Sequence, residues 1–136
     1  MIVIYLPIID VMSKRILIVE DDYDILCLLT DLLNEEGYEV VGLNFTPSII
    51  ESVLTHRPDL IMLDFLIPGI NGGELCHELK DNIMTAGLPV ILLSGYPHFL
   101  ESFGSYGSDG FIAKPFNVDA VIHMVEGCLS NNAELA

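Results

Sequence analysis

The sequence predicts an α/β fold in which a doubly wound, five-stranded parallel sheet is covered by helices. Five short apolar runs are the strand candidates: Ile16–Val19, Val40–Leu43, Leu60–Leu63, Val90–Leu93 and Phe111–Ala113. Apolar runs without alternation are typical of strands that are buried on both faces of a parallel sheet. Helical patterns separate the runs, and this alternation favours parallel strands joined by right-handed crossovers.

Apolar residues at helical spacing predict the connecting helices. The first helix is predicted from Ile25 to Leu33, with Gly37 as its stop. Thr46 and Pro47 predict the start of the second helix as cap and first-turn proline. Leu75, Leu79 and Ile83 predict a third helix, and a fourth is predicted near His98–Phe103. The last helix is predicted to run from Val118 to Leu129, with Asn117 as its cap.

The composition indicates one compact domain with an acidic surface. The chain has 136 residues, of which 51% are hydrophobic and 18% charged, so a sizeable core is expected. Five Lys and Arg residues against twenty Asp and Glu residues give a net charge of −15. Such a surface repels phosphate backbones, so we expect no direct nucleic-acid binding. It favours a divalent cation or a basic patch on a protein partner.

The predicted domain covers residues 14–131, between an apolar extension (1–13) and a short tail (132–136), which leaves no room for a second domain. The extension is too short to span a bilayer, has no basic segment of a signal peptide, and is interrupted by Pro7 and Asp10. We therefore expect no membrane association. It is either an upstream addition or an interaction arm, and the arm favours a homodimer.

Three cysteines without metal spacing indicate reduced thiols in a cytoplasmic protein.

Chemically active side chains follow four of the five predicted strands. They are Glu20, Asp21 and Asp22 after the first run, Asp64 after the third, Ser94 after the fourth and Lys114 after the fifth. The carboxyl ends of parallel strands share one edge of the sheet, where α/β proteins form their sites. Each residue alone is more often a turn or cap residue, and Asp22 is the expected cap of the first helix. Their shared position predicts a site.

The residue types at this edge favour metal-assisted phosphoryl transfer. Two unit charges 4 Å apart repel by about 4 kcal/mol at an effective dielectric constant near 20, so clustered carboxylates share a proton or bind a cation. The carboxylates of Glu20, Asp21 and Asp64 are ligands that Mg²⁺ prefers. A carboxylate can also attack phosphorus and form an acyl phosphate. Lys114 and the Ser94 hydroxyl are placed to neutralise phosphoryl oxygens.

Four motifs resemble the receiver domain of two-component response regulators. They are ILIVEDD at 16–22, PDLIMLDFLIPGINGGEL at 58–75, VILLSG at 90–95 and DGFIAKPF at 109–116. The resemblance covers residues 14 to about 130, with family-like intervals between the motifs. It implies a flavodoxin-like (βα)5 fold with strand order 2-1-3-4-5, of the CheY-like, single-domain kind.

The resemblance also implies a role for each site residue. Asp64 resembles the aspartate that is phosphorylated by a histidine kinase or a histidine phosphotransfer protein. Glu20 and Asp21 resemble the acidic pair that holds Mg²⁺, together with Asp64 and the backbone carbonyl of Leu66. Lys114 would pair with the phosphoryl oxygens and precede a cis peptide bond to Pro115. Ser94 and Phe111 resemble the switch hydroxyl and the switch aromatic, which act on a face that binds a downstream protein.

Two other functions remain open at this point. The chain could keep the fold and bind a partner without phosphorylation, although all five key side chains are present. It could also be a phosphohydrolase of the haloacid dehalogenase type, which uses an aspartyl phosphate as well. That family places its nucleophile after the first strand in a D-x-D motif, and no carboxylate lies two residues after Asp64. The expected protein is a phosphoacceptor switch, which assists its own phosphorylation and dephosphorylation, rather than an enzyme.

Overall fold

A computed structural model of the chain describes residues 13–67, 69–96 and 106–135, with backbone alone for Ile70 and 131–135. The strands in these ranges are β1 (Arg15–Val19), β2 (Glu39–Leu43), β3 (Leu60–Asp64), β4 (Leu66–Ile67), β5 (Ile70–Asn71), β6 (Val90–Ser94) and β7 (Gly110–Ala113). The helices are α1 (Tyr23–Glu35), α2 (Ile49–His56), α3 (Gly72–Lys80) and α4 (Val118–Leu135).

Five strands form one parallel sheet in the order β2-β1-β3-β6-β7. When these five alone are numbered along the chain, the order is 2-1-3-4-5, which confirms the prediction. The register pairs Asp64 with Leu93 and Ser94 with Ala113, so the ends of three neighbouring strands lie side by side. The sequence did not predict the two-residue antiparallel pair of β4 and β5 that follows β3.

Alternate residues of the sheet enter two hydrophobic cores, one on each face. On one face Leu17, Leu63 and Leu92 pack with residues of α2 and α3. On the other face Ile18 and Met62 pack with residues of α1 and α4. Every residue of β3 and β6 is buried, because helices cover both faces of these central strands. This explains why the strand segments are continuously apolar.

The helix ends confirm some predicted signals and correct others. The Asp22 side chain caps α1 by accepting from the N–H of Ile25 at 3.2 Å, as predicted. Ser48 caps α2, so the prediction of Thr46 as the cap was wrong. The Thr46 side chain is buried instead, and its hydroxyl donates to the Ser48 carbonyl at 2.9 Å. Thr46 therefore supports the turn that leads into the helix.

The third predicted helix was extended too far. It ends at Lys80, and Ile83 lies 95% exposed in the turn that follows, so assigning Ile83 to the helix's apolar face was wrong. The predicted helix near His98–Phe103 lies outside the described residues, as do 1–12 and 136, so the domain boundaries stay predictions. None of the described helices combines the length and apolar character needed to cross a membrane.

Gly72 allows α3 to begin directly against the end of β3. A Cβ atom built on Gly72 would lie 2.1 Å from the backbone oxygen of Asp64, a contact that only movement of the main chain could relieve. We expect Gly72→Ala to lower the free energy of unfolding by at least about 2 kcal/mol, as overpacking against rigid backbone does. Chemical denaturation monitored by circular dichroism measures this change.

Gly127→Ala in α4 is the matched control, because nothing beyond the adjoining residues and backbone of its own helix lies within 4 Å of a Cβ built on Gly127. Alanine is the better helix former, so this variant should gain about 0.5–1 kcal/mol. Equal effects of the two substitutions would contradict the close approach of α3 to Asp64.

Candidate functional site

The site lies where β1, β3, β6 and β7 end at the carboxyl edge of the sheet. Backbone hydrogen bonds fix these ends: the Phe65 N–H donates to the Leu93 carbonyl at 2.7 Å, and the Lys114 N–H to the Ser94 carbonyl at 2.8 Å. On the other side, the Glu20 N–H donates to the Leu43 carbonyl at 3.0 Å. The residues that follow these strands therefore start from fixed positions at one edge.

Lys114 links two carboxylates that are far apart in sequence. Its Nζ lies 2.9 Å from Oε2 of Glu20 and 3.4 Å from Oδ1 of Asp64. Glu20 is fully buried and Asp64 is 4% exposed, so little water screens these charges. The predicted convergence of the strand ends is thus present for these three side chains.

Asp21 completes an acidic cluster whose chemistry suits a hard cation. Carboxylate oxygens of Glu20, Asp21 and Asp64 lie within 4.8 Å of one another, and Asp21 is exposed at the mouth of the site. Oε2 of Glu20 accepts no well-aligned hydrogen bond from the described residues, and the nearby ammonium of Lys114 compensates its charge. Among the described residues, Lys114 is the one cation paired with these three carboxylates, which leaves the cluster short of positive charge. An all-oxygen donor set fits Mg²⁺.

The other predicted site residues lie around this cluster. Ser94 is buried at the end of β6, and its Oγ accepts from the N–H of Tyr96 at 2.9 Å. Phe111 on β7 is half-buried and packs against the core on the α2 and α3 face. The N–H of Leu66 donates to Oδ1 of Asp64 at 3.3 Å, so Leu66 borders the site. The peptide bond between Lys114 and Pro115 is cis, as the resemblance implied.

Comparison with known proteins identifies the family. The profile described as "Response regulator receiver domain" matches residues 16–126, which is most of the chain. The chain belongs to the response regulator receiver domain family. Phosphorylation and Mg²⁺ binding are general properties of receiver domains, and a dehalogenase-type hydrolase is no longer an alternative.

Individual relatives are similar to this receiver domain over most of its length. Sporulation initiation phosphotransferase F of Bacillus subtilis is 32% identical over 112 residues, which are 81% of this chain and 89% of that protein. The DNA-binding response regulator MtrA of Mycobacterium tuberculosis is 30% identical over 125 residues, which are 90% of this chain. The chain spans about half of MtrA, 54% of its length.

Solved structures share the fold. The response regulator TrrA of Thermotoga maritima, in complex with Mg²⁺-BeF, has a TM-score of 0.77 and 32% identity, covering 85% of this chain and 99% of that chain. A response regulator from Chloroflexus aurantiacus has a TM-score of 0.80 and 28% identity, and the match covers 87% of this chain and 98% of that chain. These likenesses agree with the observed fold.

The sequence interpretation missed the residues that hold the receiver domain's Asp64 loop in place. Besides Gly72, Gly73 leaves space for the ring of Tyr106, whose atoms would lie 2.7 Å from an added Cβ. The Tyr106 ring also packs against Phe65, with 5.6 Å between ring centroids. The Gly-Gly pair after Asn71 was a visible signal, but close backbone approach cannot be deduced from glycines without the fold.

Burial and neighbouring charge work against ionisation of Asp64 in the metal-free receiver domain. Burial raises the pKa of the Asp64 carboxyl from its usual 3.8 to about 7; the charge of Glu20 adds to this effect and that of Lys114 opposes it. Burial alone lowers the pKa of Lys114, but the hydrogen bond to Glu20 and the charge of Asp64 outweigh it, so that pKa lies above its usual 10.5. Lys114 thus stays charged, and its single ammonium interacts with the carboxyl groups of both Glu20 and Asp64.

The raised pKa predicts a pH-dependent stability that Asp64→Asn removes. Because folding favours the protonated Asp64, its stabilising contribution is complete below pH 3.8 and is lost as the pH rises through about 7. In EDTA, we expect the stability advantage of Asp64→Asn over the parent to grow by about 1–3 kcal/mol between pH 5 and pH 8. Urea denaturation at both pH values measures it.

Asp31→Asn, on the exposed surface of α1, is the matched control and should show no such growth. An advantage of Asp64→Asn that is equal at pH 5 and pH 8 would contradict the assignment of the raised pKa to Asp64.

Proposed function

We propose that Asp64 accepts a phosphoryl group from a histidine kinase or a histidine phosphotransfer protein, and that this Mg²⁺-dependent event switches a protein-binding face. The proposal rests on one observation: a nearly buried aspartate lies within 3.4 Å of a fixed ammonium and beside two further carboxylates. No second carboxylate two residues after Asp64 is available for a hydrolase cycle. The domain therefore acts as a phosphoacceptor switch that assists its own phosphorylation and dephosphorylation.

Transfer requires Asp64 to be an ionised nucleophile. Its carboxylate oxygen forms the new P–O bond, the P–N bond to the donor imidazole breaks, and the imidazole leaves with the electron pair and gains a proton. Lys114 favours the ionised form of Asp64 and is within reach of the oxygens of the transferred group. When held by Glu20, Asp21, Asp64 and the Leu66 carbonyl, Mg²⁺ supplies the positive charge that reduces repulsion between these carboxylates and the phosphoryl group.

Ser94 and Phe111 are the proposed switch residues. Ser94 ends the strand next to Asp64, and its hydroxyl can turn from the Tyr96 N–H toward a phosphoryl oxygen. Phe111 lies on the next strand and is only half-buried, so its ring can move inward when Ser94 moves. Phosphorylation would then shift the balance between two conformers that bind the downstream protein unequally.

An apolar groove beside Lys114 is the proposed docking site for the phosphodonor. Ile25 and Leu28 of α1 face Pro115 and Phe116 across a cavity of about 380 Å³ that Lys114 also lines. Leu28 is 52% exposed, and Tyr23 near the start of the helix is 75% exposed. A donor that covers this groove brings its phosphohistidine to the mouth of the site.

The protein's partners are proposed from surface charge and from relatives. The net charge of −15 favours a donor and a downstream protein with basic surfaces, and argues against direct nucleic-acid contact by these residues. We propose a single-domain regulator, because the chain covers 89% of sporulation initiation phosphotransferase F. This chain covers only 54% of MtrA, which is named as a DNA-binding regulator, so we do not infer DNA binding for this chain from that relative.

Incubation with acetyl phosphate tests the phosphoacceptor directly. With Mg²⁺ present, we expect intact mass spectrometry to show one added phosphoryl group, and no addition with EDTA. Asp64→Asn should abolish the addition, because its side chain cannot form the acyl phosphate. Asp59→Asn is the matched control; Asp59 precedes β3 at the opposite edge and accepts from the Arg15 N–H at 2.8 Å. Phosphorylation that persists in Asp64→Asn, or needs no metal, would refute the proposal.

Leu28→Asp tests the docking groove separately from the chemistry. A charge in the groove should slow phosphotransfer from a histidine phosphotransfer protein at least about tenfold, as disruption of a contact in the centre of an interface does. Acetyl phosphate needs no docking surface, so its reaction should stay unchanged. Leu54→Asp is the control, because Leu54 is 40% exposed on α2, away from this groove. If Leu28→Asp slowed the reaction equally with both phosphodonors, the variant would have damaged the fold, and the docking proposal would be refuted.

A further inference from the structure

Two aromatic rings meet beside the end of β3. Phe65 follows Asp64 directly and is 2% exposed. The ring of Tyr106, from the segment that leads into β7, packs against the Phe65 ring with 5.6 Å between centroids and 54° between planes. A tilted pair at this separation is a favourable aromatic contact. It connects the neighbour of the phosphoacceptor with a distant part of the chain.

Gly73 of α3 provides the space in which the two rings meet. A Cβ atom built on Gly73 would lie 2.7 Å from Cδ2 of Tyr106 and 2.9 Å from Cε2 of Phe65. Both rings therefore lie against the bare backbone of the helix, and a larger residue at this position would displace them. We call Phe65, Tyr106 and Gly73 the aromatic clamp.

The backbone of Tyr106 has a conformation that tyrosine rarely adopts. Its φ is 54°, in the left-handed region, and the φ of the following Gly107 is 80°. A residue other than glycine stays in this region only when its surroundings compensate the strain. The contacts of the Tyr106 ring in the aromatic clamp supply this compensation.

Polar contacts fix the segment after Tyr106 to α3. Lys80, the last residue of that helix, donates from Nζ to Oδ2 of Asp109 at 2.7 Å. The same Asp109 oxygen accepts from the N–H of Val90 at 2.8 Å. Gly107 lies against the Lys80 side chain, since a Cβ built on Gly107 would be 3.4 Å from Cγ of Lys80. The Tyr106 ring therefore extends from a fixed support.

The Phe65 ring passes this support on to Asp64. The Phe65 N–H donates to the Leu93 carbonyl at 2.7 Å, and the Phe65 carbonyl accepts from the Gly72 N–H at 2.9 Å. Two hydrogen bonds to one residue still allow the strand end to rotate about the line that joins them, and the packed ring opposes this rotation. Such a rotation would move the Asp64 carboxylate relative to Lys114, and phosphoryl transfer depends on accurate positioning.

We propose that Tyr106 is a positioning residue for the phosphorylation of Asp64. By holding the Phe65 ring over Gly73, it keeps the Asp64 carboxylate in the orientation that reacts. Tyr106 acts through Phe65 rather than by contact with the phosphoryl group, and it lies outside the four sequence motifs. This inference rests on the proposed phosphoacceptor function.

The rate of phosphorylation by acetyl phosphate at saturating Mg²⁺ tests the proposal, because saturation removes differences in metal affinity. We expect Tyr106→Ala to react at least about fivefold more slowly than the parent, since a small misplacement of the nucleophile slows transfer strongly. Tyr106→Phe keeps the ring and should react at the parent rate. Tyr106→Ala at the parent rate, or equal losses in both variants, would overturn the proposal. A parent that does not react would refute the proposed function itself.

Tyr38→Ala is the matched control for lost stability. Tyr38 is also a half-buried tyrosine, but it packs against the core on the α1 and α4 face and precedes β2 at the opposite edge of the sheet. This variant should also lower the midpoint of urea denaturation, yet react with acetyl phosphate at the parent rate. Equal slowing in Tyr38→Ala and Tyr106→Ala would assign the effect to general stability and overturn the proposal.

Gly73→Ala tests the aromatic clamp from its other side, with Tyr106 in place. The added methyl group would displace the Tyr106 ring, so this variant should also react more slowly. In a Tyr106→Ala background the methyl group has the space that the ring has left, and Gly73→Ala should cause no further loss, as expected for residues in contact. Losses that multiply in the double variant would show independent effects and overturn the proposal.

Discussion

The ion cluster of Lys114 with Glu20 and Asp64 is the constraint on which the rest of the site depends. Two carboxyls that are almost removed from water cannot both carry charge unless a cation compensates them. The ammonium of Lys114 serves both, at 2.9 Å and 3.4 Å, and it can neutralise only one full charge. The remaining negative charge makes the cluster a site for a proton or a divalent cation.

The parallel sheet is what brings these charges together. Glu20 and Lys114 follow β1 and β7, and Asp64 is the last residue of β3. The backbone hydrogen bonds of Phe65 and Lys114 fix the ends of β3 and β7 to β6. Gly72 lies so close to the Asp64 backbone that a Cβ atom there would clash with it, so only glycine allows α3 to begin this near the strand end. The unfavourable burial of charge at this edge is therefore offset by the hydrophobic cores on both faces. Functional sites in proteins are often destabilising, and the surrounding fold supplies the stability that they lack.

Most of the framework could be predicted from the sequence, because its signals are local. Continuous apolar runs identified all five long strands, and Asp22 identified the start of α1. The errors arose where tertiary contacts determine the helix ends. Thr46 is buried, and Ser48 caps α2 in its place. Ile83 continues the helical spacing of apolar residues but lies in the turn that follows α3. The short β4 and β5 pair has too few residues for any pattern to show.

The site could be predicted as a set of residues, whereas its energetics could not. The position of Asp64 after an apolar run indicated the edge of the sheet, but its raised pKa depends on burial and on the charges of Glu20 and Lys114, which follow other strands. Likewise, the sequence shows Gly72 and Gly73 without showing that Asp64 and Tyr106 approach them. Close approach and desolvation are properties of the folded chain.

Calorimetric titration with Mg²⁺ tests most directly whether the cluster is a metal site. We expect one ion bound per chain, with affinity at least about tenfold weaker in Asp21→Asn and Asp64→Asn, as loss of a ligand implies. Asp24→Asn, on the first turn of α1 and outside the cluster, should bind like the parent. Equal Mg²⁺ affinity in the parent and all three variants would contradict the account.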